Sequence, residues 1–329
     1  MIDQVTAIVI RTKFSGCSIA PNPLRAEVCY NQCAKHFDPN TMIKTDPLDI
    51  VPLNAPLGAE IHGIDASQTL STELVSSIDE AWDKYHVLIL RNQKISDTNL
   101  LAFTKLFGEL DPPGPNPFGE PFLPSFPEIN VISNVTENGR PIGNLGDGEA
   151  VWHADMTYAQ IPPKAALLYA IEIPPSGGDT YFANMYTAYD TLPAKLKAQA
   201  AQKKVIHDAS HNSAGVKRKG FGEITDIRAT PGAHHPLVRT DPNTGAHCLF
   251  LGRRPNAYVI GLDLDESEKL LNELWSHATQ EDFTMRHQWQ QGDLLMWRNL
   301  NVIHRRDAFD PNTRRIMHRT QIKGDERIR

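Results

Sequence analysis

The 329-residue chain is poor in cysteine, with Cys17, Cys29 and Cys33 all in its first 33 residues and Cys248 by itself in the rest. That distribution excludes a disulfide framework and fits a reducing compartment. Cys29, Cys33 and His36 hint at zinc by their spacing, but no second ligand pair follows nearby, so they are read as free thiols and an ordinary imidazole in an N-terminal arm. Apolar runs are short: none approaches the ~18 residues of a membrane span, and "TAIVI" is too brief for a signal-peptide core. A soluble, cytoplasmic protein with no membrane contact is expected. Charge of one sign is nowhere concentrated; the 33 Lys and Arg are scattered among 39 Asp and Glu for a net −6, which argues against a nucleic-acid surface and favours a small-molecule partner. "HNSAGVKRKGFGE" (211–223) is basic and glycine-containing, yet it has no strand before it and no helix after it, so it is no phosphate loop. It is read instead as a mobile segment over an active site.

At 40% hydrophobic residues, the chain can build a core without staples. Residues 1–41 show no sustained period of 2 or 3.6 and read as a disordered or additional arm, whereas 42–329 read as a single folded domain, with Met42 a candidate start. "LDIVPL", "AEIHGI" and "VLILRN" are strand candidates, and "TELVSSIDEAWDKYH" (72–86) has helical spacing. "DTNLLAFTKLFGEL" is a second helix, with Asp97 as expected N-cap and Gly108 as expected stop. The proline-rich stretch 111–128 reads as a lid or binding loop. Beyond it, "INVISNV", "KAALLYAIEI", "GDTYFAN", "AHCLFLG", "DLLMWRN" and "RRIMHRTQI" are strands, interrupted by helices at about 192–203 and at 266–280. Many short strands with helices packed outside point to a mainly β fold with flanking helices, and to a double-stranded β-helix (a cupin-like jelly roll) as its core.

"VWHADMTYAQ" (151–160) holds His153 and Asp155 two positions apart, hence on one face of an extended segment, where one metal ion could take both. One imidazole, one carboxylate and a second, distant imidazole suit non-haem Fe(II) with open positions. The third ligand is expected at His304, just past the apolar strand "GDLLMWRNLNVI". Arg315 follows eleven residues later and Arg319 four beyond that, on one face of "RRIMHRTQI". Taken singly, each arginine reads as a surface ion-pair residue; together they put two anion receptors on one side of a strand. His234 and His235, in "GAHHPLVRT", read as structural.

These residues carry a resemblance. "WHAD…GGDTYFAN" followed by "GDLLMWRNLNVIHRRDAFDPNTRRIMHRTQIKGD" resembles the taurine and 2,4-dichlorophenoxyacetate dioxygenase family of Fe(II)/2-oxoglutarate enzymes, over about 47–325. The resemblance implies His153, Asp155 and His304 as iron ligands, and Arg315 with Thr180 as the holders of the distal carboxylate of 2-oxoglutarate. It implies Arg319 as receptor for the anionic group of the primary substrate, O2 as oxidant, and succinate and CO2 as products. Homodimers or homotetramers are common in the family. The taurine enzymes place a substrate-contacting histidine after the "FGEL" helix, and here no histidine occurs from 87 to 152. With Phe118, Met156 and Tyr158 near the ligands, the expected substrate is an aryloxyalkanoate, alkyl sulfonate or alkyl sulfate. Two readings from other classes stand beside this one: a non-catalytic cupin-like small-molecule binding protein, which predicts a damaged ligand set, and an interaction module using residues 1–41.

Overall fold

Apolar runs of the sequence pair into two principal sheets. In the computed structural model, which describes residues 48–114 and 119–329, the larger sheet has eight strands. Their order is Asp49–Pro52, Ala59–His62, Val87–Leu90, Leu294–Trp297, Ala165–Glu172, Ile316–Ile322, Asn130–Ser133, Asn144–Leu145. The smaller sheet orders Thr284–His287, Thr180–Asn184, Val302–Arg306 and Ala150–His153, antiparallel throughout. The chain is therefore mainly β with few helices. Val87–Leu90 and Leu294–Trp297 are buried along their whole length. Both faces of these strands are covered, and for that reason they read as unbroken apolar runs rather than alternations.

The inner faces of the sheets meet in one cluster, where Phe182, Met285 and Val302 of the smaller pack with Leu168, Leu295 and Met317 of the larger. Helices Thr72–Tyr85 and Asp97–Lys105 cover the outer face of the larger sheet, setting Ile78, Trp82 and Phe103 against Leu88, Leu167 and Met296. Helices Met185–Asp190, Ala194–Ala200 and Leu264–Ala278 cover the smaller sheet through Met185, Leu196 and Leu274 against Ala183 and Ile303. Each such buried aliphatic or aromatic side chain contributes about 1.5–3 kcal/mol by leaving water. Residues Leu48–Arg329 form one compact unit. Among the described residues, no helix is long and apolar enough to cross a membrane.

Several local expectations change. The helix over "DTNLLAFTKLFGEL" is capped by Ser96 rather than Asp97: Ser96 Oγ accepts from the Asn99 amide while Asn99 Oδ1 accepts from the Ser96 amide. Asp97 is engaged instead by His318 Nδ1 at 2.6 Å, and the helix ends at Lys105, short of Gly108. The helix expected at 192–203 spans only Ala194–Ala200 and is preceded by Met185–Asp190, too short to show a period in sequence. The helix expected at 266–280 runs Leu264–Ala278. His304 does not follow the strand of "DLLMWRN"; it sits inside a strand of its own, Val302–Arg306. The break falls where Arg298 leaves the sheet to pair with Asp79 and Asp83 at 2.7 and 2.8 Å. The readings of residues 1–41 and Met42, and the position of Phe118, lie outside the described residues.

Candidate metal centre and active site

Strand register assembles the cluster. On the smaller sheet His304 lies directly opposite His153, with ring centroids 4.1 Å apart, and opposite Phe182 on its other side. Two residues along, Arg306 faces Thr180. Because side chains alternate between faces, these two rows point the same way, toward the larger sheet. His153 ends its strand, and Asp155 begins the turn 155–158 rather than continuing the extended segment. One ligand atom from each of His153, Asp155 and His304 lies within 4.8 Å of the others, and all three residues are buried.

The turn is held from outside. The Asp155 amide donates to Asn299 Oδ1 (2.7 Å), and Asn299 Nδ2 donates to the carbonyls of Asp155 (2.9 Å) and Pro163 (2.8 Å). His235 Nε2 donates to the carbonyls of Thr157 (2.9 Å) and Ala159 (3.0 Å), which gives the structural reading of this residue its content. These bonds over-determine a turn in which Met156 has φ 49°, a left-handed conformation costing a side-chain-bearing residue about 1–2 kcal/mol. Asn299 was not singled out in the sequence; its signal is a buried amide in the turn just before the His304 strand. Asn299→Ala should cost about 3 kcal/mol of stability, since it strands three buried backbone groups. Iron affinity should fall about 10–100-fold through the misplaced carboxylate. Thermal unfolding and iron retained after dialysis check both, and an unchanged iron affinity would mean that the strand alone places Asp155.

The electrostatics match metal ligation. Val151 O accepts from His153 Nδ1 at 2.7 Å, so His153 Nε2 presents its lone pair to Asp155 Oδ1, 3.7 Å away. His304 Nε2 stands 4.0 Å from Asp155 Oδ2, which is buried and has no hydrogen-bond partner. Burial pushes His304 well below the ordinary imidazole range and His153 below it, so both rings are neutral. Burial acts to raise the Asp155 carboxyl, but the Arg319 guanidinium that pairs with it works the other way, and the group is held below the usual carboxylate range. Neutral imidazoles and an ionised carboxylate are the ligating forms. Three lone-pair donors converging with one oxygen orphaned repel each other unless a cation lies among them, and two nitrogens with a carboxylate suit Fe(II).

Two cavities of about 70 and 40 Å³ flank the cluster and share Leu145, His153 and Arg319. The smaller is lined by Phe182, Trp297, Thr180, Arg306 and Arg315 and contains no carboxylate. Arg315 is buried, and its Nε and Nη1 have no partner. Burial and then the neighbouring Arg306 push its guanidinium well below its ordinary range, while Arg306 itself is pushed down to about 10 by burial. A buried cation without a counter-ion is costly, and among the described residues no carboxylate lines this chamber, so it suits an anion. Thr180 Oγ1 accepts from Trp289 Nε1 at 3.0 Å, leaving its own proton to donate. The turn before it needs Gly178, at φ 69°, where a Cβ would stand 3.4 Å from Arg315 Nε. Arg306 was missed in sequence, although its place two residues past His304 on a strand was the available signal. The larger cavity is lined by Met156 and Tyr158 and by His211, Ser213 and Arg218 of the segment 211–223. Arg319 Nη1 donates to Asp155 Oδ1 at 2.6 Å, a pairing the sequence did not suggest.

Residues 49–321 match the family described as "Taurine catabolism dioxygenase TauD, TfdA family". The chain is 33% identical over 282 residues to the alpha-ketoglutarate-dependent 2,4-dichlorophenoxyacetate dioxygenase of Cupriavidus pinatubonensis, covering 83% of this chain and 97% of that protein. It is 30% identical over 288 residues to the alkylsulfatase of Acinetobacter baylyi, covering 85% and 86%. Among solved structures, a taurine dioxygenase from Burkholderia xenovorans superposes with a TM-score of 0.69 at 31% identity, covering 85% of this chain and 90% of that one.

Proposed function

Because the chain belongs to the TauD, TfdA family of taurine catabolism dioxygenases, we propose that it is an Fe(II)/2-oxoglutarate-dependent dioxygenase hydroxylating a small anionic organic substrate of the aryloxyalkanoate, alkyl sulfonate or alkyl sulfate type. The observation that carries this reading is the buried His153, Asp155, His304 cluster beside Arg315, a buried guanidinium that meets no carboxylate among the described residues. His153, Asp155 and His304 would hold the iron. With 2-oxoglutarate and O2, bound Fe(II) supplies the oxidising chemistry, by which a substrate C–H becomes C–OH and 2-oxoglutarate leaves as succinate and CO2.

The residues do the rest. Arg315 offers a two-pronged pair to the distal carboxylate of 2-oxoglutarate, with the Thr180 hydroxyl donating to the same group. The apolar walls of the smaller chamber exclude water from that contact. Arg319, at the junction of the chambers, steadies Asp155 and turns its remaining donors toward the substrate's anionic group. Met156, Tyr158 and, from the proline-rich loop, Phe118 would orient the C–H bond. Taurine is disfavoured by the lack of any histidine from 87 to 152. The two sheets with a shared inner core support a double-stranded β-helix, and residues 42–329 are read as one catalytic domain in a cytoplasmic, homodimeric or homotetrameric enzyme.

Purified protein incubated with Fe(II), 2-oxoglutarate, ascorbate and a panel of sulfonates, alkyl sulfates and aryloxyalkanoates should form succinate above the uncoupled background with at least one member. No rise with any member, together with a His153→Ala protein that binds iron as well as the parent, would sink the reading.

A further inference from the structure

The larger chamber has an uneven charge balance. Of the guanidiniums that line it, Arg253 pairs with Asp208 at 2.6 Å and Arg319 pairs through Nη1 with Asp155 at 2.6 Å. Arg218 alone of the three meets no carboxylate among the described residues. Its Nη1 donates to the carbonyl of Ala209 at 2.8 Å and its guanidinium lies 4.1 Å over the ring of Tyr158, and among the described residues Nε and Nη2 make no hydrogen bond. The Tyr158 hydroxyl is buried in the same chamber and has no hydrogen-bond partner. Over that hydroxyl passes Gly114 of the proline-rich loop, where any Cβ would come within 2.1 Å of the oxygen. Gly114 thus closes over this spot, and none of the described residues supplies the missing partner. Arg218 borders only the larger chamber, whereas Arg319 borders both. Burial pushes the Arg218 guanidinium below its ordinary range.

Resting on the dioxygenase reading and deepening it, we propose that Arg218 and the Tyr158 hydroxyl form an oxyanion receptor for the primary substrate, making Arg218 a specificity-determining residue. The ligand chemistry is a single carboxylate, sulfonate or sulfate group on a small organic body. Stacking on Tyr158 fixes the plane of the guanidinium, so its Nε–Nη2 edge can grip two oxygens while the phenol donates to one of them. Arg319, paired with Asp155 through Nη1 alone, reaches the same anionic group from the other side with its remaining donors. Segment 211–223 thereby acquires a role as the wall that selects for charge.

The test uses the full-length protein loaded anaerobically with Fe(II) and 2-oxoglutarate. The complex is titrated with phenoxyacetate and with hexyl sulfate, and separately with the uncharged phenoxyethanol and hexanol, while the visible absorbance of the iron–2-oxoglutarate complex is followed. At least one anion should bind more tightly than its uncharged partner, and whichever does so separates the carboxylate from the sulfate arm. Arg218→Gln should weaken that anion about ten- to hundredfold and erase its advantage over the alcohol, with 2-oxoglutarate affinity unchanged. Arg218→Lys should restore part of the loss, because it returns the charge without the fork. Tyr158→Phe should weaken the anion several-fold. Equal anion binding by Arg218→Gln and the parent overturns the proposal, as does a parent complex that takes neither anion. Failure of the parent to form the 2-oxoglutarate complex at all would instead strike the dioxygenase reading itself.

Discussion

Arg315→Met is expected to make the protein more stable and nearly useless. In the ligand-free chain this guanidinium is buried, two of its nitrogens lack partners, and Arg306 lies near enough to oppose its charge. Replacing an uncompensated buried charge with an apolar side chain of similar length should raise stability by about 1–4 kcal/mol. The same change removes the cationic half of a desolvated pair with 2-oxoglutarate, a loss of about 2–5 kcal/mol, or roughly 30- to several-thousand-fold in kcat/KM for the co-substrate. Thermal unfolding with and without 2-oxoglutarate separates the two effects: the parent should gain stability from the ligand and the variant should not. A variant less stable than the parent, with an unchanged KM for 2-oxoglutarate, would show that Arg315 is a structural residue.

Asp155→Asn should fail in the opposite direction. The amide keeps the shape but loses the charge that balances Arg319, so a buried guanidinium is left uncompensated at a cost of about 3 kcal/mol. It also removes the anionic ligand, and since loss of even an outer hydrogen-bond partner costs a metal site about 10–100-fold, iron affinity should fall by more than a hundredfold. Succinate formation should drop to the level of free Fe(II). Adding Arg319→Gln should return most of the lost stability without returning the iron, because the charge imbalance is repaired and the ligand is not. Iron retained after dialysis and the unfolding midpoint check each step. A double variant as unstable as Asp155→Asn would mean that the ion pair is not what Asp155 contributes to the apo fold.

Much of the site was legible because it depends on local periodicity. The H-x-D of His153 and Asp155, His304 next to an apolar run, and Arg315 and Arg319 four residues apart can each be picked out by spacing and by which side chains bind metals or carboxylates, although Asp155 lies in a turn past its strand and Arg315 lies just before the strand Ile316–Ile322 rather than on it. The residues that escaped act from turns or through a neighbouring strand. Asn299 grips Asp155 from a turn far along the chain, and Arg306 faces Thr180 only by cross-strand register. Arg218 reaches Tyr158 from a segment with no period. Ser96 in place of Asp97 as N-cap is a smaller case of the same kind: both residues can cap, and Asp97 was claimed by His318, which the sequence places in a distant strand.

What the sequence determined by itself was the donor set, its order, and the strand-rich character of the chain, since these follow from side-chain chemistry and backbone alternation over a few residues. The tertiary structure alone decided that His153 stands opposite His304, that Asp155 leaves its strand to be held by Asn299 and Arg319, and that Arg315 is buried and meets no carboxylate among the described residues. Register between strands far apart in the chain is set by how two sheets close over a common core. The charge a buried group lacks depends on every side chain that closure brings near it, which no local pattern encodes.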